Sequence, residues 1–76
     1  MTTEMRVLMK AVHELIKLRL VVTETDLNRE FVFSEKLQDV ADVKAACFLL
    51  AERGKVIILS NTDGGMVVAL NNVNIH

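Results

Sequence analysis

Apolar residues recur near the start of the chain at steps of three and four. Met5, Leu8, Met9, Val12, Leu15, Ile16 and Leu20 fall on one side of a helical wheel, so the spacing predicts an amphipathic first helix. Thr2 or Thr3 caps its start, and Glu4 suits its first turn. Lys10 and Glu14 stand one turn apart on the wet face. The β-branched pair Val21 and Val22 marks a departure toward a short strand. Cap chemistry returns at Thr23, Glu24, Thr25 and Asp26, which predicts a second helix starting near Thr25. Two extents fit it. Either residues 26–33 are helical throughout, or residues 30–33 form a short strand and Ser34 caps a helix over 35–38.

The pattern is firmer from Asp39 onward. Asp39 caps a third helix, Asp42 lies in its first turn, Arg53 closes its last turn, and Gly54 is the left-handed stop. Val40, Val43, Cys47 and Leu50 make the inward stripe, with Ala46 beside it. Residues 56–59 and 66–70 read as two strands, joined by a turn over 60–65 whose glycines supply positive φ. The strand composition is unusual. A hairpin with one wet face alternates apolar and polar residues, whereas Val56-Ile57-Ile58-Leu59 and Met66-Val67-Val68-Ala69-Leu70 are apolar on both faces. The second face therefore calls for a cover, either another part of the chain or a second copy of it.

The segment Val43-x3-Cys47-x2-Leu50-x3-Gly54-x-Val56 resembles the end of a recognition helix entering the wing of the winged helix-turn-helix superfamily. The wider order of elements, over about residues 5 to 70, is similar to that fold. The resemblance implies an α+β winged helix, with three helices and a C-terminal two-stranded β-hairpin wing, as a single domain over residues 1–76. It implies a small DNA-binding transcriptional regulator, with the exposed face of the third helix in the major groove and the wing against phosphate. By position this brings Asp39, Asp42, Lys44, Ala45 and Phe48 toward duplex DNA, with wing-tip residues 61–65. The candidate DNA contacts are Lys36, Lys44, Ala45, Lys55, Asn61 and Thr62. The candidate homodimer contacts are Ile58, Val67, Phe31 and Phe33, the last two because Phe31, Val32 and Phe33 cannot all enter one core.

Charge complicates the DNA reading. The net charge is −1. Residues 1–20 carry Arg6, Lys10, Lys17 and Arg19 against Glu4 and Glu14, whereas residues 21–54 hold a net −3. The third helix opens on two aspartates and the wing tip carries Asp63, while phosphate binding draws on Lys and Arg. A protein-interaction module on the same scaffold, acting as an assembly factor, inhibitor or modulator of another regulator, is the alternative. The basic face of the first helix reads as an ordinary solvated face.

Composition narrows the rest. With 76 residues, 51% of them apolar, and no Pro, Trp or Tyr, aliphatic side chains and three phenylalanines must build a small core with a thin margin of stability. That much apolar surface in so short a chain favours a homodimer. A lone Cys47 makes no internal disulfide and sits among apolar neighbours, which suits a buried thiol in a reducing, cytoplasmic setting. No apolar run approaches the ~20 residues of a membrane span. His13, Cys47 and His76 do not converge as metal ligands, and residues 61–65 lack the Lys-Ser/Thr of a phosphate-binding loop. The expectation is a protein with no enzymatic activity, cofactor, metal or membrane partner.

Overall fold

The computed structural model describes residues 2–33 and 38–71. The order of elements is α1 (Thr3–Arg19), β1 (Val21–Thr23), α2 (Glu24–Phe31), α3 (Val40–Glu52), β2 (Val56–Thr62) and β3 (Gly65–Leu70). Three helices lie against a three-stranded antiparallel sheet of order β1-β3-β2, which makes the chain α+β.

The first helix forms on the predicted stripe. Thr2 caps it through its Oγ1, which accepts from the Met5 amide at 3.1 Å. Leu8, Met9, Val12 and Ile16 are buried, and Met5 and Leu15 are half-buried beside them. Leu20 departs from the expectation. It stands 57% exposed and takes a φ of 70°, so it turns the chain out of the helix rather than extending the stripe. Its carbonyl then accepts from the Leu70 amide at 2.8 Å, and Val21, Val22 and Thr23 pair with Ala69, Val68 and Val67. The expected two-stranded hairpin is thus one part of a three-stranded sheet. The Val21-Val22 strand completes the second edge of β3, because Val22 gains full burial there.

The second helix begins at Glu24, one residue before the expected start near Thr25. Of the expected cap residues Thr23 to Asp26, Thr23 is the cap, and Thr23 and Asp26 exchange hydrogen bonds of 3.1 and 3.2 Å in a capping box. The helix follows the first of the two extents but ends at Phe31. Residues 30–33 form no strand, and the alternative helix over 35–38 falls mostly outside the described residues. The third helix has Asp39 as cap, with Oδ1 accepting from the Ala41 amide at 2.8 Å. Arg53 is its C-cap, and Gly54 stops it at φ 73°. Val43, Ala46, Cys47 and Leu50 point inward; Val40, the first helical residue, is 37% exposed and leaves the expected stripe.

The hairpin is longer and its turn tighter than the sequence implied. β2 runs to Thr62, β3 starts at Gly65, and Thr62 pairs with Gly65. Gly65 alone of the two turn glycines takes positive φ, 119°. Leu59 is an extra residue in β2: Ile58 pairs with Val68 and Ser60 with Val67, which is a β-bulge. The inner face of the sheet supplies Val22, Val56, Met66 and Val68 to a core that every element enters. The outer face carries Val21, Ile57, Leu59, Val67 and Ala69. Val21, Ile57 and Leu59 remain about half exposed.

Candidate functional site

The residues expected to contact DNA do not form one surface. Lys44 is half-buried, and its Nζ lies 3.7 Å from Glu24 Oε1 at the start of α2. Its charge is engaged within the fold. Ala45 is half-buried beside it. Asn61 and Thr62 are exposed at the hairpin end, next to Asp63 and Gly64, and Thr62 Oγ1 accepts from the Gly64 amide at 3.3 Å. Lys36 lies outside the described residues. Lys55 stands apart from the hairpin tip, at the junction of α3 with β2.

Two of the four expected dimer contacts face the core. Phe31 is 2% exposed and belongs to the core, because the last turn of α2 aims it inward. Ile58 is half-buried against the core, on the face where its neighbours Val68 and Val22 are fully buried. Strand alternation explains the outward positions: Ile57 and Leu59 flank Ile58 and turn to the open side. Val67 lies on that open side, across from Ser60. Phe33, 77% exposed just beyond α2, stays available to a partner.

The cations sort into two groups. Lys17 pairs with Glu14 at 3.1 Å, Arg29 with Asp26 at 3.7 Å, Arg19 with Asp26 at 4.0 Å, and Lys44 with Glu24. The anticipated Lys10–Glu14 contact is replaced by Lys17–Glu14. Lysine placed N-terminal to glutamate is the weaker arrangement on a helix, so Glu14 turns to Lys17 and leaves Lys10 without it. Arg6, Lys10 and Lys55 have no ion pair among the described residues. These three share one cleft of about 310 Å³ with His13 and Arg53, over an apolar floor of Met9 and Leu50. Residues 6, 10 and 13 lie on one face of α1, where a helical repeat stacks them. Arg53 and Lys55 arrive from the opposite side, at the end of α3 and the approach to β2. Among the described residues, no carboxylate lines the cleft.

Its electrostatics are visible at His13. Burial, then the charges of Lys17 and Lys55, push its imidazole below the ordinary value, against a smaller opposing pull from Glu14. Cys47, by contrast, is fully buried, and desolvation with the nearby Glu24 charge pushes its thiol up to about 12. It is a core atom, far from the thiolate that nucleophilic chemistry needs. Among the described residues, no cluster of His, Cys, Asp or Glu is arranged to hold a metal ion, and no helix is long and apolar enough to cross a membrane.

Sequence reasoning had the components of the cleft without its assembly. The basic face of α1 and the cations flanking Gly54 were both legible. That α1 packs beside the end of α3 is a tertiary fact with no local signal. Compared with known proteins, the chain matches no family model, no curated protein and no solved structure.

Proposed function

We propose that this chain is a winged-helix domain acting as a small, dimeric DNA-binding regulator. The observation that carries the reading is the path of the chain. A helix, a short strand, two helices and a hairpin follow one another in the order on which the resemblance rests, with the glycine-stopped third helix leading into the hairpin and the short strand adding a third member to the expected two-stranded wing. Arg6, Lys10 and Lys55, without an ion pair among the described residues, add the positive charge that a phosphate backbone requires. Pairing through the outer face of the sheet, at Val21, Ile57, Leu59 and Val67, covers the half-exposed apolar side and sets two domains on one duplex. The test is electrophoretic retardation of a mixed-sequence duplex by the wild-type chain at low salt. Retardation that disappears as salt rises supports the reading; free duplex at the lowest salt overturns it.

A second reading is favoured by a specific feature. The exposed start of α3 carries Asp39 and Asp42, and Lys44 is held by Glu24. Such a helix repels phosphate, which suits a protein-interaction module on the same scaffold. A chain that leaves duplex DNA free while self-associating or capturing a protein partner meets this reading instead.

A further inference from the structure

The geometry points to the cleft between α1 and the α3–β2 junction, lined by Arg6, Lys10, His13, Arg53 and Lys55, as the place where this protein grips nucleic-acid phosphates, in place of the exposed face of α3. This inference rests on the DNA-binding reading and relocates its contact surface.

Three observations converge on it. First, the cleft concentrates positive charge. It takes cations from two separate parts of the chain and, among the described residues, is lined by no carboxylate; Arg6, Lys10 and Lys55 have no ion pair among those residues, whereas Lys17, Arg19, Arg29 and Lys44 each face a carboxylate elsewhere. A group of like charges is held together in the folded state only at a repulsive cost, and a bound polyanion turns that cost into attraction. Second, the aspartates that disfavour DNA lie at the far end of α3. At the rise of an α-helix, Asp42 and Arg53 are separated by roughly 16 Å along the axis, beyond a Debye length at physiological salt. Acid at the start of α3 therefore does not cancel the cleft. Third, the shape suits a backbone rather than a base. Exposed Arg6, Lys10, Arg53 and Lys55 rim a shallow apolar floor. Cations at a rim reach phosphate oxygens without reading sequence.

His13 reports on the site from inside. It lies below its ordinary value because burial and the charges of Lys17 and Lys55 disfavour the imidazolium. Arg6 and Lys10 on its own helix, Glu14 beside it, and Arg53 from the end of α3 complete its charged surroundings. A phosphate in the cleft offsets the cations, favours the imidazolium and raises the His13 pKa. By linkage, binding takes up a fraction of a proton near that pKa, and affinity increases as pH falls through it.

The test uses the full chain and a fluorescein-labelled mixed-sequence duplex. Lys10→Gln and Lys55→Gln, both at exposed positions, are compared with Lys44→Gln, with circular dichroism verifying that each variant folds. Each cleft variant is expected to weaken binding severalfold and to lower the slope of log affinity against log salt by about 1, and Lys44→Gln to leave both unchanged. In parallel, proton NMR follows His13 in the wild type with duplex and, separately, with inorganic phosphate. A His13 pKa raised by the duplex is the expected result. Wild-type binding that Lys10→Gln and Lys55→Gln leave intact overturns the cleft alone. A His13 shift with inorganic phosphate but none with duplex marks a small-anion site and also overturns it. Absence of duplex binding by the wild type removes the DNA reading and the cleft with it.

Discussion

Gly65 shows how much one backbone angle decides. Its φ of 119° is open to glycine and resisted by every L side chain. Space is not the obstacle, since an added Cβ meets only Glu24 Cβ at 3.7 Å, an ordinary contact. Gly65→Ala is therefore expected to lower stability by about 1–3 kcal/mol through backbone strain, read from the urea midpoint with the slope unchanged. A midpoint equal to wild type contradicts the assignment. The sequence showed that a Gly-Gly turn was present, but not which glycine carries the angle. That depends on where Thr62 pairs, and pairing is set by the bulge at Leu59 upstream. Leu20 escaped sequence reasoning for a related reason. Its spacing fits the α1 stripe, but the pull of β1 toward β3 turns it outward into a positive φ that leucine seldom adopts.

At the scale of elements, the helix ends were the most legible features. Asp39, Asp42 and Gly54 each mark α3 by a short-range mechanism, a cap, a first-turn acid or a left-handed stop, and each stands where the sequence put it. The start of α2 was legible only to within a residue, because Thr23 and Thr25 offer the same hydroxyl. Only the reciprocal partner, Asp26, distinguishes them. Thr23→Ala is expected to cost about 1 kcal/mol of stability, measured by thermal or urea unfolding. The carboxylate half of the capping box carries a pH signature of its own. The backbone hydrogen bond from Thr23, the largest cause, holds the Asp26 carboxyl below its ordinary value. A carboxyl lowered in the folded state adds stability above its unfolded pKa, and that stability fades as pH falls through the folded value. The hydrogen bond from Thr23 is donated by a backbone N–H that Thr23→Ala keeps, so the pH signature belongs to Asp26→Ala, whose difference from wild type is expected to be full at neutral pH and to shrink in acid. A difference independent of pH contradicts the capping box as its source.

For the whole molecule, the apolar composition of the hairpin foretold a face in need of cover, and the structure leaves that face open at Val21, Ile57 and Leu59. The sequence did not distinguish Ile58 from its neighbours, because a run of four apolar residues has no alternation from which to read direction. With Leu59 on the open side, Leu59→Lys is expected to convert a dimer into a monomer in sedimentation equilibrium while preserving the far-ultraviolet circular dichroism. A wild type that is monomeric across the concentration range contradicts pairing through the sheet. The basic cleft was hidden for a different reason. Its members are separated by some forty residues of chain, about the distance from Lys10 to Arg53 in the sequence, and only the packing of α1 beside α3 unites them.

The most direct measurement is the affinity of the wild-type chain for a labelled mixed-sequence duplex, by fluorescence anisotropy, over a series of salt concentrations. Three or four cleft cations against phosphate give a log–log slope of about −3 to −4 per protomer. Such a slope, with binding strongest at the lowest salt, is the expected result. A duplex that stays free at the lowest salt, or an affinity indifferent to salt, contradicts a protein that holds nucleic acid through its gathered cations.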